Sequence, residues 1–374
     1  MDCFCCLRRQ KTMNERQEID FLIVGQGLAG TLLSHILLAN SRKISILDEL
    51  KTHTSSRVAA GLFHPVTGRR IVKSWMVDVL YDFASNFYAE QEKQFQTKFF
   101  FPKELLEVLS STHEFNVWSE RLGDPSISRY LAEQPPIGMY ETKLKKFFKM
   151  ISMKGSGWMD MAKYLELSFK HFSNLDIIES GKFDINFLEI ENDRFKYKNY
   201  SAKNIIFCEG SDAVRNNLWK WIPFLPSKGE VITISAPTLP EKYILLKGLF
   251  LIPLGEQRFR VGSTYTWTYQ NELPSEEGLE NLKTKLQSII DVPFDIIDHR
   301  SAVRPTTKDR RPIIGEHPKF KNMFIFNGLG TKGVLLGPYF ANEFVQFLLN
   351  GKSLNPEVNI KRFRSFFPES SETF

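Results

Sequence analysis

Hydrophobic and polar positions near the start of the chain predict a strand, a helix and a second strand in close succession. Ile19 to Val24 is apolar except for Asp20 and is typical of a buried strand, and Leu28 to Asn40 has the spacing of a helix. Lys43 to Leu47 is a second short apolar segment. The pattern therefore predicts a strand–turn–helix–strand unit, with glycines in the turn between the first strand and the helix.

Farther along the chain the pattern changes several times. A long amphipathic helix is predicted from about Ile71 to Phe95, and the stretch from about Phe99 to Phe148 is aromatic, irregular and rich in turn signals. Asp160 is placed to cap a helix over Met161 to Phe172. Alternation from Gly229 to Thr266 indicates antiparallel strands. The other predicted elements are strands at Asp176 to Glu179, Phe187 to Glu191, Asn204 to Cys208 and Met323 to Phe326, and a last helix at Leu335 to Leu349.

Composition limits the class of protein. The 374 residues suffice for one large domain or two interleaved ones, and 42% hydrophobic and 25% charged residues are ordinary for a globular enzyme. The net charge of +6 is mild, and no run of Lys and Arg is dense enough to indicate nucleic acid by itself. The charge fits an anionic substrate or cofactor.

Cysteine usage and hydropathy bear on the compartment. Cys3, Cys5 and Cys6 lie at the extreme N-terminus and only Cys208 lies in the body of the chain, which is no disulfide framework. The longest apolar stretch, Phe21 to Ala39, is interrupted by glycines and polar residues, so we expect no transmembrane segment. The prediction is a cytoplasmic protein whose oligomeric state is left open.

The turn after the first strand has the sequence Gly25-Gln26-Gly27-Leu28-Ala29-Gly30, a GxGxxG motif. Its first glycine permits a tight turn, its second lets the backbone approach a pyrophosphate, and its third lets the helix pack on the strand. The start of the helix then offers N–H groups to that pyrophosphate. Asp48 ends the second strand, where a carboxylate can accept hydrogen bonds from ribose hydroxyls. The sequence therefore predicts a dinucleotide site.

A second glycine-rich strand-to-helix loop favours FAD over a nicotinamide. Asn327 to Gly333 reads Asn-Gly-Leu-Gly-Thr-Lys-Gly and precedes the last helix. Such a helix start can stabilise the negative charge that appears at the N1–C2=O edge of a flavin on reduction. From this loop we predict cofactor contacts by Gly328, Gly330, Thr331, Lys332, Gly333 and Val334.

Four further segments complete a resemblance to the D-amino-acid oxidase superfamily of FAD enzymes, closest to its glycine oxidase branch. They are Ser55-Ser56-Arg57-Val58-Ala59-Ala60-Gly61-Leu62, Ile206 to Gly210, Gly248 to Pro253, and Val303-Arg304-Pro305-Thr306-Thr307-Lys308-Asp309. The resemblance implies a Rossmann-type FAD-binding domain with an inserted mixed or antiparallel β-sheet substrate domain. It also implies flavin contacts by Ser55, Ser56, Ala59, Ala60, Gly61, Leu62 and Gly210.

We divide the α/β chain on this basis. The FAD-binding domain is predicted to comprise three separated segments, the substrate domain two, and the extreme N-terminus a disordered leader. The segments are residues 13–85, 150–222 and 301–374 for the FAD-binding domain, 86–149 and 223–300 for the substrate domain, and 1–12 for the leader.

The resemblance also implies roles at the substrate. The arginine of the fourth segment binds the substrate carboxylate in glycine oxidases, which carries over to Arg304, and its planar fork suits a bidentate carboxylate. A family tyrosine near the substrate is replaced by Phe250. Where glycine oxidases have a second arginine this chain has Thr331, although Lys332 beside it can supply a charge. Arg70, with its neighbour Arg69, follows the flavin-facing segment and is the remaining candidate.

The implied function is oxidation of the C–N bond of an amino acid or N-substituted glycine by hydride transfer to flavin N5, with a small carboxylate-bearing amine as substrate. Two alternatives stay open. The final loop also resembles the oxidase domain of the bifunctional tRNA 5-methylaminomethyl-2-thiouridine enzyme, which removes a carboxymethyl group from a wobble uridine and would make tRNA the partner. A non-catalytic FAD-binding protein is the other. No histidine spacing indicates a metal.

Overall fold

The computed structural model describes residues 16–67, 71–132 and 138–368. The strands that it contains are β1 (Gln17–Val24), β2 (Ile44–Asp48), β3 (Val66–Thr67), β4 (Val72–Lys73), β5 (Phe100–Pro102), β6 (Leu105–Leu109), β7 (Leu131–Ala132), β8 (Lys149–Met153), β9 (Gly157–Met159), β10 (Ile178–Ser180), β11 (Leu188–Glu191), β12 (Arg194–Tyr197), β13 (Tyr200–Phe207), β14 (Ser227–Ser235), β15 (Ile244–Lys247), β16 (Leu249–Gly255), β17 (Arg258–Gly262), β18 (Asp295–Arg304), β19 (Ile313–Glu316) and β20 (Met323–Asn327). The α-helices are α1 (Leu28–Ala39), α2 (Ser55–Val58), α3 (Val77–Phe95), α4 (Thr112–Leu122), α5 (Pro125–Ser128), α6 (Met161–Asn174), α7 (Glu276–Gln287) and α8 (Gly333–Asn350). Short 3-10 helices occur at Gly138–Tyr140, Ile185–Phe187, Gly210–Arg215 and Ile360–Phe366.

The predicted strand–turn–helix–strand unit forms the centre of the first sheet. Strand β1 pairs in parallel with β2 on one side and β13 on the other, and the parallel set continues to β10 and β20. Strands β12, β11 and β19 add antiparallel edges. Phe21 to Val24 of β1 are all buried, as their continuous apolar run predicts for a strand covered on both faces.

The second sheet has the order β18-β14-β17-β16-β15-β6-β8-β7. Its neighbours are antiparallel except β15 and β6, which run parallel. The alternation from Gly229 to Thr266 thus forms β14 to β17, as predicted. A Rossmann-type parallel sheet combined with a mixed sheet confirms the predicted fold class.

Helix α8 brings the last glycine-rich loop to the first one, because it packs directly against α1. A Cβ built on Gly337 would lie 2.4 Å from Leu32 Cδ1, and one on Gly333 would lie 2.9 Å from Leu28 Cδ2. Only glycines allow the two helices to approach this closely. The two glycine-rich loops therefore lie close together, at the carboxyl ends of β1 and β20.

Three predicted elements were wrong in extent. The helix predicted from Ile71 begins at Val77, because Ile71 and Met76 have φ of +51° and +53°, which no α-helix accommodates. The stretch from Phe99 to Phe148, predicted to be irregular, contains strands β5 to β7 and helices α4 and α5. Strand β12 was missed and β13 begins at Tyr200, not Asn204, because β12 and the start of β13 are polar segments that pair as a hairpin. The cap on α6 is as predicted, since Asp160 accepts the backbone N–H of Lys163 at 3.0 Å.

The two sheets draw on different parts of the chain. All strands of the first sheet lie within 17–48, 178–207 and 313–327. The second sheet takes its strands from 105–153 and 227–304, so that β8 and β18 cross the domain limits predicted at residues 149/150 and 300/301. The division into two domains stays a prediction, and the predicted leader lies outside the described residues. None of the helices described is both long and apolar enough to cross a membrane.

Candidate functional site

A large cavity lies between the two sheets and is lined by both glycine-rich loops. Its volume of about 2150 Å³ is roughly twice the upper end of ordinary ligand sites, which run to about 1,000 Å³. Every cofactor residue predicted from the sequence lines it except Gly30, which packs behind the first loop, and so do both Arg304 and Phe250. The cavity is large enough for a dinucleotide together with a small substrate.

The first glycine loop has the shape that a pyrophosphate cradle requires. Gly25 has a φ of +104°, and a Cβ there would lie 2.5 Å from the carbonyl oxygen of Cys208. A Cβ on Gly30 would lie 1.9 Å from the carbonyl oxygen of Gly25. Gly27 is the N-cap of α1 and has no side chain to cover the first turn. Backbone N–H groups at this helix start are therefore exposed to an anion in the cavity.

Two side chains fix the position of this loop. The carboxylate of Asp48 accepts the backbone N–H groups of Gln26 at 2.6 Å and Leu50 at 2.7 Å. A carboxylate oxygen has more than one acceptor site, so Asp48 can hold the loop and still accept from a ribose hydroxyl. The hydroxyl of Ser56 accepts the N–H of Leu28 at 3.0 Å, which ties α2 to the start of α1.

The segment predicted to lie along the flavin begins with α2, and Gly61 in its second half packs closely against β9. Gly61 has a φ of +70°, and a Cβ there would lie 1.9 Å from the carbonyl oxygen of Met159. The glycine thus allows the chain to pass from Ala59 to Leu62 along the wall of the cavity. Met159 N–H in turn donates to the carbonyl of Gly61 at 3.1 Å.

Arg304 ends β18 and extends into the cavity from the second sheet. Its Nη2 donates to Ser263 Oγ at 3.0 Å, and both terminal nitrogens lie 3.4 Å from the carbonyl oxygen of Thr264. The ring of Tyr265 packs beneath the guanidinium, with Cζ 4.3 Å from its centroid. The guanidinium also covers Gly229, where a Cβ would lie 1.9 Å from Nη2.

No carboxylate contacts the Arg304 guanidinium within the parts of the chain that the structure describes. Burial lowers the pKa of this guanidinium and outweighs the opposite effect of the Tyr265 phenol. A buried cation without an acidic partner is costly unless a ligand supplies the negative charge. The geometry therefore fits an arginine that binds an anionic ligand in the cavity.

Phe250 lies on β16, on the wall next to Arg304. Its ring contacts Gly262, where a Cβ would be 2.9 Å from Cζ, and it packs with Val58, Val231 and Ala302. This set joins α2 to the second sheet and is entirely apolar. Phe250 therefore contributes shape and exclusion of water to the cavity and no hydrogen bond.

These observations test whether the residues present fit FAD. A cradle that a Cβ would fill, an uncapped helix start, an anchored carboxylate and a cavity of sufficient volume all fit a dinucleotide. A model of the DAO family, described as FAD dependent oxidoreductase, matches residues 20–346. The chain belongs to this family. Membership confirms the resemblance predicted from the motifs, the class of enzyme and FAD as the cofactor.

Relatives within the family share the fold and a segment of sequence. Glycine oxidase of Geobacillus kaustophilus is 26% identical over 145 residues, which are 37% of this chain and 38% of that protein. The crystal structure of glycine oxidase from this organism superposes with a TM-score of 0.73 at 17% identity, covering 90% of this chain and 96% of that one. Iminodiacetate oxidase from Chelativorans sp. BNC1 gives 0.72 at 17% identity, covering 92% and 98%. Sequence similarity thus spans less than half of the curated relative, and the structural likeness shows the fold.

Lys332 of this DAO-family chain lines the same cavity as Arg304, and its hydrogen bonds are to other residues. It is the N-cap of α8, and its Nζ donates to Ser74 Oγ at 3.0 Å and Thr67 Oγ1 at 3.3 Å. Burial lowers the pKa of this ammonium to about 8, and Arg310 and Arg311 add to the effect. The loop that was predicted to face the flavin thus also presents a cation.

Other predicted residues have plain structural roles or fall outside the structure. Arg69 and Arg70 lie outside the described residues. His64 donates from Nδ1 to the carbonyl of Val66 at 2.6 Å, and burial lowers its pKa to about 4, so it is a neutral packed histidine. Cys208 is buried, which raises the pKa of its thiol and leaves it unreactive. No group of metal-ligating side chains occurs among the residues described.

Sequence reasoning gave no role to the residues that hold Arg304. Ser263 lies in a segment, Val261 to Thr264, that resembles the family's substrate-domain hairpin, whereas Gly229 in β14 and Tyr265 after β17 lie in no recognised motif. It also missed Glu209, which lines the cavity beside the first glycine loop and accepts from Asn216 at 2.8 Å. Burial raises the pKa of Glu209 to about 7. A glycine inside an alternating strand was the one available signal for Gly229.

Proposed function

We propose that this protein oxidises the C–N bond of an amino acid or N-substituted glycine, with Arg304 binding the substrate carboxylate. The observation that carries the proposal is the Arg304 guanidinium, which faces the cavity and has no acidic partner among the described residues. A carboxylate paired with it gains charge-assisted hydrogen bonds in a partly desolvated site.

The surroundings of Arg304 support a bound ligand better than a structural ion pair. The Ser263 hydroxyl, the Thr264 carbonyl and the Tyr265 ring orient the planar group and leave donors directed at the cavity. Relatives named glycine oxidase and iminodiacetate oxidase act on carboxylate-bearing amines, which agrees with this arrangement.

The chemistry divides between cofactor and chain. Bound FAD supplies the two-electron acceptor for the hydride that leaves the carbon bearing the amine. The first glycine loop, Asp48 and the Ala59–Leu62 segment would hold it. Arg304 would orient the substrate, and the apolar set around Phe250 would exclude water. His64 lines the cavity, but its lowered pKa makes it a weak base. We therefore assign no dedicated proton acceptor.

Anaerobic reduction of the flavin tests the proposal. Holoenzyme is mixed in turn with glycine, sarcosine, iminodiacetate, D- and L-amino acids and a carboxylate-free amine, and the flavin absorbance is followed. We expect bleaching by at least one carboxylate-bearing amine and none by its decarboxylated counterpart. Bleaching only by tRNA that carries carboxymethylaminomethyl-uridine would favour the tRNA alternative. Bleaching by none of these would favour the non-catalytic alternative and overturn the proposal.

A further inference from the structure

The wall of the cavity around Arg304 carries three large side chains with apolar surface that is only partly covered. Leu225, Tyr265 and Trp267 all line the cavity, and they are 48%, 53% and 60% exposed. Within the part of the chain that the structure describes, the Trp267 indole contacts no other ring and its N–H has no hydrogen-bond partner. A contiguous exposed apolar patch in a cavity is typical of a ligand-binding surface.

Strand pairing places Trp267 near Arg304 on one face of the second sheet. Arg304 of β18 is in register with Ser227 of β14. On its other side, β14 pairs at Lys228 with Thr266. This antiparallel register puts Trp267 opposite Ser227. Side chains of directly opposite residues share a face, and Ser227, Trp267 and Arg304 accordingly all line the cavity.

Tyr265 connects the guanidinium to the rest of this patch. Its ring packs on Arg304, with Cζ 4.3 Å from the ring centroid. Trp267 follows two residues later and lines the same cavity, roughly 7 Å along an extended segment. Leu225, whose N–H donates to the carbonyl of Thr306 at 2.7 Å, adds a third side chain to the wall. A carboxylate at Arg304 therefore has apolar surface within the reach of a short substituent.

From this arrangement we propose that Leu225, Tyr265 and Trp267 form an aromatic subsite beside the carboxylate-binding Arg304. The preferred substrate is an amino acid or N-substituted glycine with an aromatic ring joined to it by a short linker. The carboxylate binds the guanidinium, and the ring packs against the Trp267 indole. This inference rests on the proposed function and narrows its substrate class.

The aromatic subsite favours a substrate larger than glycine. Glycine at Arg304 would leave the apolar side chains of the subsite in water, whereas a ring would cover them and gain from their burial. An indole also pairs with a second aromatic ring in stacked or edge-to-face geometry, which a saturated ring of equal size cannot reproduce. Ser227 and Ala302, which line the same wall, are small and leave room for a ring.

Binding of three unreactive ethers to the holoenzyme tests the subsite. Methoxyacetate carries the carboxylate with a methyl group, benzyloxyacetate adds a phenyl ring, and cyclohexylmethoxyacetate adds a saturated ring of similar size. None contains an amine that can be oxidised, and each is titrated against the flavin absorbance spectrum. We expect benzyloxyacetate to bind at least about 10-fold more tightly than methoxyacetate and about 3-fold more tightly than the cyclohexyl ether.

Variants assign these preferences to Trp267. Trp267→Leu removes the indole and keeps an apolar side chain, so the preference for the phenyl over the cyclohexyl ring should disappear. Trp267→Phe should keep part of it, because a ring remains. Phe148→Leu is the matched control, because Phe148 is an exposed aromatic residue just before β8 that does not line the cavity. Its affinities for the three ethers should equal those of the parent protein.

Three outcomes would overturn the inference. Equal affinity for methoxyacetate and benzyloxyacetate, or binding of no ether, would show that no ring is recognised. Unchanged preferences in Trp267→Leu would place the ring elsewhere in the cavity. Weakening of all three ethers by the same factor in that variant would place Trp267 at the carboxylate or at the flavin.

Anaerobic bleaching of the flavin tests the proposed function separately. D- and L-phenylalanine and N-benzylglycine are compared with glycine and sarcosine. Faster bleaching by an aromatic amine supports the subsite, and the one that reacts assigns the ring to the α-carbon or to the nitrogen. If glycine or sarcosine bleaches the flavin while the ethers show no preference, only the aromatic subsite is wrong. If no carboxylate-bearing amine bleaches it, the proposed function fails.

Discussion

The position of the Arg304 guanidinium can be tested by a substitution that leaves Arg304 in place. Gly229 lies in β14, directly under the guanidinium. A Cβ at residue 229 would lie 1.9 Å from Nη2, 2.1 Å from Cζ and 2.3 Å from Nη1. Ordinary contacts begin near 3.4 Å, so the guanidinium must move by about 1.5 Å in Gly229→Ala. Such a shift also breaks its hydrogen bond to Ser263.

A displacement of this size has a predictable cost in catalysis. Misplacing a binding group by roughly 1 Å can lower the rate about 100-fold. We therefore expect kcat/KM for a carboxylate substrate to fall on the order of 100-fold in Gly229→Ala, or about 2.7 kcal/mol in transition-state binding. Arg304→Ala should lose roughly 2–5 kcal/mol, and Arg304→Lys should also lose activity because the fork is gone.

Steady-state kinetics and FAD content measure this effect. FAD content and melting temperature should stay near those of the parent, because the added methyl meets only the far end of the Arg304 side chain and no backbone atom. Gly123→Ala is the control, since its nearest atom would be a carbonyl oxygen at an ordinary 3.7 Å. For amines without a carboxylate, kcat/KM should change little in Gly229→Ala, Arg304→Ala or Arg304→Lys. Full activity of Gly229→Ala together with full activity of Arg304→Ala would refute the assignment, as would loss of FAD as the only effect of either.

Three further expectations concern the cofactor site and stability. Gly30→Ala would place a Cβ 1.9 Å from the carbonyl oxygen of Gly25, so the purified protein should lack FAD, whereas Gly123→Ala, with its nearest contact at 3.7 Å, should retain it; nucleotide released on denaturation decides this, and equal retention contradicts it. Gly330→Val, at a φ of +55°, should distort the last loop and weaken sulfite binding to the flavin in a spectral titration; unchanged affinity would remove the loop from the flavin. Burial raises the pKa of the Glu107 carboxyl from 4.5 to about 8. Between pH 4.5 and pH 8 this carboxyl is therefore protonated in the folded state and ionised in the unfolded state, so the free energy of unfolding falls as the pH rises through this range. Glu107→Gln should therefore gain about 1–3 kcal/mol over the parent between pH 5 and pH 8 in urea unfolding, and a difference independent of pH would contradict the burial argument.

Local sequence patterns were enough to predict the residues of the cofactor site. The GxGxxG turn, the helix after it and Asp48 at the end of β2 are close in sequence, and each depends on short-range geometry: φ at Gly25, packing at Gly30 and a carboxylate at the end of a strand. Such features recur wherever a pyrophosphate meets a helix start, so they can be recognised without the rest of the fold. The same holds for Gly61, whose conformation a single residue type permits.

The surroundings of the candidate substrate-binding residues became visible only in the tertiary structure. The sequence marked Arg304 through a resemblance, but the contacts at Gly229, Ser263 and Tyr265 arise from pairing of β14 with β17 and β18. Lys332 reaches Thr67 and Ser74 only because α8 packs against α1 at Gly333 and Gly337. Contacts between residues so far apart along the chain depend on strand order and helix packing, which apolar periodicity does not encode. The charge balance of the cavity follows from those contacts, and with it the class of substrate that we propose.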